Sequence, residues 1–559
     1  MTSTVPLSSE SMESQRGPFE VVRDGDLAMT TWDGVILRAD VYRPEAPGPR
    51  PVLVRRTPYG KRSNDLAADF SEVHYFASHG YLVVVQDTRG RFTSEGVWYP
   101  FIYEGRDGYD TIDWAATLPG SSGAVGTLGQ SYGAIVQYLA ATQRPPRLRT
   151  CIPVSAYQLT FENCWYNAGA LELGWLLSYF VNMAEDVLAA DGDRASIAEL
   201  AKLKVDPTVR FSALTEDALR HLPLRDWIDR LGRGAPFLAD ILWHWTDGPY
   251  WWATDLSRQL FNINVPMLHI GSWYDIANRD TPLYFTGLRS SALDARDRHA
   301  LIMGPWAHQL PFNQPTSGGT GDIDFGPEAA ISLVDIERRW FDHYLKAEGA
   351  DLPCSPVRIF VMGENRWRDE QQWPLARADY TSFYLHSGGS ANTVNGDGIL
   401  SVEAPGDEPA DRYRHEPDNP VPTRAAGSLA AVWLIRHDPA AAVRAFLSPT
   451  MSDADLKRLT ARNRASLDQA VWDRYLLNWV GPAFVDDLRS YAGRVTLLAG
   501  EHDPFVTQAA LAAIDDALPN SRAGAIMNAG HYPSIEAPQA TCDAVEEALR
   551  LRDAQTLSR

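Results

Sequence analysis

The chain has 559 residues, 45% hydrophobic and 22% charged, an ordinary globular composition too long for one simple core, so two or three domains are expected. A formal net charge of −20 argues against a nucleic-acid partner, which would need a clustered basic surface. The apolar run of about 18 residues that a membrane helix needs is absent, and Cys151, Cys164, Cys354 and Cys542 lack the spacing of a zinc site or a disulfide scaffold.

Residues 1–17 are rich in Ser and Glu without an apolar stretch, and read as a disordered tail rather than a secretory signal; a cytoplasmic protein is the simplest expectation. Residues 27–41 alternate polar and apolar side chains around Asp33-Gly34, a hairpin signal. Short runs rich in β-branched residues at 51–55 and 81–87 predict buried parallel strands, with helices at 69–78 and 105–117. A strand at 124–128 runs into Gly129-Gln130-Ser131-Tyr132-Gly133 and then an apolar helix over 134–140. A sixth strand follows at 150–155. Strands alternating with helices predict an α/β fold with a doubly wound, mostly parallel sheet.

From 159 to 252 strand runs vanish and aromatic-rich helical periodicity takes over, the pattern of a helical cap. Core packing explains most such aromatics singly. As a group above a serine site some would line an apolar acyl or aryl pocket, with Trp165, Trp175 and Trp273 as candidates. The sheet resumes at 265–271, which ends in Gly271-Ser272-Trp273-Tyr274-Asp275, and at 298–304, which ends in Pro305-Trp306-Ala307-His308. A helix at 329–346 closes the layer, so 18–158 and 253–350 form the catalytic domain. Residues 351–424 read as β-rich, and 425–559 as helical segments followed by a strand at 495–500 and a helix at 537–552.

Gly-x-Ser-x-Gly at a strand-to-helix junction is the signature of a nucleophile elbow. A serine hydroxyl needs a histidine base, and the histidine needs a carboxylate to fix its tautomer. The order Ser131, Asp275, His308, with the last two following strands, satisfies that requirement. The oxyanion would be held by the Tyr132 amide and a donor from the loop Arg56-Thr57-Pro58-Tyr59-Gly60, where the Tyr59 hydroxyl stands in for an amide. This chemistry needs no metal or organic cofactor.

Those motifs, with Gln86-Asp87-Thr88-Arg89-Gly90-Arg91, Ser94-Glu95-Gly96 and Glu104-Gly105-Arg106-Asp107-Gly108-Tyr109-Asp110, resemble the cocaine esterase / X-Pro dipeptidyl-peptidase-like family (CocE/NonD hydrolases) over residues 19–422. The resemblance implies a Ser131–Asp275–His308 triad, a Tyr59 and Tyr132 oxyanion hole, a helical cap and a C-terminal β jelly roll entered at 357–384. The jelly-roll pattern stops near Pro422, leaving a truncated segment whose unpaired edges would have to be covered or would favour association, a homodimer being one outcome. Beyond it, Gly500-Glu501-His502-Asp503-Pro504-Phe505 and Gly530-His531-Tyr532-Pro533 resemble the acid and histidine motifs of a single-domain α/β-hydrolase, without a second elbow. Asp503 and His531 are therefore either relics in a module that completes the fold or an alternative acid/base pair for Ser131; the flanking motifs favour Asp275 and His308. A recombined sequence is a third reading.

The expected activity is hydrolysis of a small-molecule ester or amide through an acyl-enzyme. An X-Pro dipeptidyl-peptidase or α-amino-acid ester hydrolase would need a carboxylate for a free amino group, and Glu162, Glu172 and Asp186 are the cap candidates. An acyltransferase or an inactive binding module is the rival of a different class.

Overall fold

The computed structural model describes residues 17–418 apart from 63–66, 158–160, 162, 164, 168, 208–211, 213, 277, 292, 309–324, 330, 347–351, 353–354 and 394, and beyond 418 only the strand backbones 495–500 and 521–526. In chain order the strands are β1 (Val21–Thr30), β2 (Ile36–Pro44), β3 (Arg50–Thr57), β4 (Leu82–Asp87), β5 (Ser121–Gln130), β6 (Leu148–Val154), β7 (Tyr166–Asn167), β8 (Ala170–Leu171), β9 (Leu268–Tyr274), β10 (Ala300–Ala307), β11 (Val357–Val361) and β12 (Arg366–Glu370). The principal helices are α1 (Ala67–Ser78), α2 (Glu104–Ala116), α3 (Tyr132–Thr142), α4 (Leu173–Ala190), α5 (Asp280–Arg289) and α6 (Leu333–Leu345).

Ten strands form one sheet in the order β1-β2-β4-β3-β5-β6-β9-β10-β11-β12, parallel from β4 through to β11 and antiparallel at both ends. The central strands are apolar on both sides because both faces are covered. Val52, Val54, Leu82 and Val84 point into one core with α2 and α3; Leu53, Val83 and Val85 point into the other with α1 and α6. That two-sided burial is what the uninterrupted runs of the sequence encode. Where helices press closest to the sheet the chain uses glycine: a Cβ on Gly126 of β5 would sit 2.9 Å from the Leu345 side chain and 3.0 Å from that of Phe341.

Residues between β6 and β9 form the cap. Its longest helix, α4, buries Leu176, Leu177, Phe180, Val181 and Met183 in the same core that holds Tyr132 and Ile135 of α3, so cap and sheet are packed as one body. The cap is not wholly helical, since β7 and β8 form a two-residue antiparallel ladder within it. Residues 357–370, which the sequence reading assigned to a separate β segment beginning at 351, differ more. β11 pairs in parallel with β10, Leu301 opposite Val357, and β12 pairs back on β11. A β-rich pattern identifies strands but not the sheet they join, and here Val357 and Ile359 complete a core with Leu301 and Met303. The hairpin of Tyr384–His386 with Ile399–Ser401 (β13 and β14) stands apart from that sheet. Among the described residues no helix is long and apolar enough to cross a membrane.

Candidate active site

β5 delivers the chain into Ser131, the cap residue of α3, at φ 57° and ψ −122°. A non-glycine residue held there is strained by roughly 1–3 kcal/mol, which the surrounding bonds must offset. Ser131 N–H donates to the Val154 carbonyl at 2.9 Å, and its own carbonyl accepts from Ala134 and Ile135. Gly129 takes φ +141°, and a Cβ there would lie 3.2 Å from the Gly133 carbonyl oxygen. The turn is thus strained for any side chain at Gly129, and Oγ is left to project from its apex.

Asp275 directly follows β9 and His308 directly follows β10. His308 Nδ1 lies 2.7 Å from Asp275 Oδ1 and Nε2 lies 2.9 Å from Ser131 Oγ. Asp275 is buried, so its carboxylate fixes Nδ1 as the protonated nitrogen and leaves Nε2 to accept the serine proton. Burial pulls the His308 pKa down, but the charge of Asp275 and its hydrogen bond outweigh that and raise it above the ordinary imidazole value. Gln130, the residue before the nucleophile, donates its side-chain amide to the His308 carbonyl and ties the histidine loop to the elbow.

Tyr132 is the first residue of α3, so its N–H is one of those a helix leaves without an intrahelical acceptor, and it faces the positive end of the helix dipole. Its side chain is anchored below: the hydroxyl donates to Glu104 Oε1 at 2.7 Å, and Arg56 Nη1 pairs with Glu104 Oε2 at 2.7 Å. Burial, partly opposed by Arg56, raises the Glu104 pKa. The Tyr59 loop leaves β3 beside this elbow, and a Cβ on Gly133 would lie 3.5 Å from the Arg56 carbonyl oxygen. That loop is pinned by Tyr59 N–H donating to Thr57 Oγ1 at 3.1 Å and Lys61 N–H to Asp87 Oδ1 at 2.6 Å. Above it, Tyr179 of α4 has its hydroxyl pKa pushed well up, first by burial and then by Tyr59, Tyr157 and Tyr132. Four tyrosines therefore converge here, and the Tyr157 ring centroid is 6.5 Å from that of His308.

Of the three tryptophans expected in the pocket, Trp175 lies 6.1 Å from Tyr157 and 5.7 Å from Tyr179, over the site. Trp165 stacks on Trp175 at 5.5 Å and is otherwise enclosed against Phe101 and Phe180, one layer further back. Trp273 is a correction. Its indole N–H donates to the Phe360 carbonyl at 2.8 Å and its ring packs by Trp373, so β11 claims it. Among the cap carboxylates, Asp186 is bonded to Arg91 at 2.5 Å, Glu172 is half-buried at the head of α4, and Glu162 lies outside the described residues. Asp503 and His531 lie outside them too; in sequence Asp503 follows β15 (Val495–Gly500) and His531 follows β16 (Ser521–Ile526), two strands that pair in parallel. Sequence reasoning gave no role to Glu104, Gln130, Tyr157 and Arg91, and placed Tyr179 only among the cap aromatics as a group. Glu104 and Arg91 stood inside conspicuous motifs, and a charge beside buried strands was the signal available for both.

Residues 33–310 match the family model of X-Pro dipeptidyl-peptidase (S15 family), and 353–478 that of the X-Pro dipeptidyl-peptidase C-terminal non-catalytic domain. The second match runs past 424, where the sequence reading ended its β segment. Cocaine esterase of Rhodococcus sp. (strain MB1 Bresler) is 34% identical over 404 residues, which take in 70% of this chain and 67% of the esterase. The chain spans about two thirds of the length of the curated relatives it matches. An α-amino acid ester hydrolase structure superposes with TM-score 0.54 at 23% identity, over 75% of this chain and 70% of that one. An aminopeptidase structure from a marine sediment Thaumarchaeota archaeon gives TM-score 0.55 at 21% identity, over 78% of this chain and 73% of its own. The two structural likenesses establish a shared α/β-hydrolase fold.

Proposed function

The chain belongs to the X-Pro dipeptidyl-peptidase (S15) family of serine hydrolases, and from that premise we propose that it cleaves carboxylic esters bearing an apolar or aryl group. The observation that carries the reading is the continuous hydrogen-bonded line from Ser131 Oγ through His308 to Asp275. In this mechanism Ser131 Oγ attacks the ester carbonyl as His308 Nε2 takes its proton. The negative oxygen is received by the Tyr132 amide and the Tyr59 hydroxyl. His308 returns the proton to the departing alcohol, the C–O bond breaks, and the acyl group remains on Ser131. Water, deprotonated by His308, then releases the acid. Trp175, Tyr157 and Tyr179 would face the acyl or aryl group.

A second reading, action on X-Pro peptides or α-amino-acid esters, requires a carboxylate for a free ammonium. With Asp186 engaged by Arg91, Glu172 is the described candidate that remains. An acyltransferase would use the same triad but exclude water. The deciding experiment combines hydrolysis of p-nitrophenyl acetate and butyrate with fluorophosphonate labelling of the native chain and Ser131→Ala. We expect the variant to lose labelling and about 10³-fold or more in kcat. An alanine variant that kept most of its turnover would overturn the assignment, and preferential cleavage of an unblocked X-Pro anilide would favour the second reading. A cytoplasmic location belongs to the proposal, in keeping with the free, buried thiol of Cys151; cell fractionation tests it.

A further inference from the structure

Arg91 is 1% exposed, and its charged fork is shared between two parts of the molecule that are distant in sequence. Nε donates to the Pro58 carbonyl at 2.8 Å, the peptide immediately before Tyr59. Nη1 donates to the Met183 carbonyl at 2.8 Å and Nη2 to Asp186 Oδ2 at 2.5 Å, both on α4, one turn and two turns after Tyr179. The indole of Trp98 lies 4.8 Å from the guanidinium carbon and the Phe92 ring 5.3 Å from it. Burying a guanidinium is costly unless its donors are met, and a planar fork meets them in fixed directions that an ammonium cannot reproduce. A cation so placed sets the distance between the Tyr59 loop and the helix that roofs the pocket.

We infer that Arg91 is a positioning residue for the oxyanion hole: by tying the Pro58 carbonyl to the cap helix it holds the Tyr59 hydroxyl at the height where charge develops, so that the hole is complete only when the cap is seated. The inference rests on the reading of Tyr59 as an oxyanion donor. Oxyanion stabilisation depends on donors placed before the reaction begins, so a displaced tyrosine loses most of what a removed hydroxyl loses.

The test is a double-mutant cycle of wild type, Arg91→Lys, Tyr59→Phe and the pair, with kcat and KM measured on p-nitrophenyl acetate and thermal unfolding recorded for each. Tyr59→Phe alone should lower kcat about 10²-fold; a normal kcat would remove the oxyanion reading and this inference with it. Given that loss, Arg91→Lys should lower kcat at least about tenfold with KM within about threefold, yet cost less than about threefold when added to Tyr59→Phe. Losses that simply multiply would leave the Tyr59 reading intact and overturn the inference, because support of the fold acts whether or not the hydroxyl is present. Should Arg91→Lys unfold, Asp186→Asn takes its place in the cycle, since Asp186 is part-exposed and the change weakens one of the fork's two bonds to α4 while leaving those to Met183 and Pro58. Its expected loss of about fivefold should vanish beside Tyr59→Phe, and a multiplicative loss overturns the inference in the same way.

Discussion

His308 is pulled in opposite directions, by burial that disfavours its charge and by Asp275 that favours it, and the carboxylate prevails. In the proposed mechanism the neutral imidazole is the base, so a raised pKa moves the acid limb of the kcat/KM profile to higher pH than free imidazole would give. In Asp275→Asn burial remains while the attraction is gone. The limb should shift to lower pH and kcat should fall by about 10³–10⁴-fold, because the tautomer is no longer fixed. A pH profile on one activated ester checks this; an unmoved limb in the variant would mean that another group sets it. That Ser131, Asp275 and His308 meet could be expected from the sequence because each sits in a short motif at a strand end. The setting of Trp273 could not, although it stands two residues from Asp275. Which way an indole turns depends on where its N–H finds an acceptor, and the Phe360 carbonyl belongs to a strand far along the chain.

Strands β9 and β10 lead into Asp275 and His308, and at their other ends sit a buried histidine pair, His269 in β9 and His299 just before β10. His269 Nε2 faces His299 Nδ1 at 3.5 Å, and the Tyr138 hydroxyl of α3 hydrogen-bonds His269 Nδ1. Burial, then Arg289 and Arg298, pushes the His299 pKa down to about 3, and burial with His299 lowers that of His269 well below the ordinary value. Both are therefore neutral in the folded chain, while the unfolded chain protonates them as pH falls through about 6.5. The unfolded state binds more protons below that point, so stability is complete above it and declines towards pH 3, by up to about 1.4 kcal/mol per pH unit for each group. Urea unfolding between pH 7 and pH 5 should show this slope, and His299→Gln should flatten it. An equal slope in the variant would place the acid sensitivity elsewhere. The strands were readable as elements because two-sided burial makes them continuously apolar. The placement of β11 and β12 was not, since pairing register depends on partners that a local pattern does not name.

Over the whole molecule, the composition changes sharply between β6 and β9, which is a local signal, whereas the packing that joins that segment to the sheet is long-range. The Arg91 fork links residues 92 positions apart, and the core shared by α3 and α4 joins Tyr132 to Leu176, 44 positions on (176 − 132), so no short window of sequence contains both partners. The chain also carries two Asp/His pairs for one nucleophile. The described geometry brings the first pair to Ser131: Nε2 of His308 is within a hydrogen bond of Oγ, Asp275 holds the far nitrogen, and Gln130 fixes the backbone of the same loop. Triad members act as a unit, so removing the base costs nearly as much as removing the nucleophile. His308→Ala should therefore fall about as far as Ser131→Ala, while His531→Ala should keep kcat within about threefold provided that its unfolding temperature is unchanged. The measurement is kcat/KM of both variants on p-nitrophenyl acetate, with thermal unfolding alongside. A folded but inactive His531→Ala beside an active His308→Ala would mean that the later pair serves Ser131 during turnover, and that the bond between His308 and Ser131 belongs to a resting arrangement.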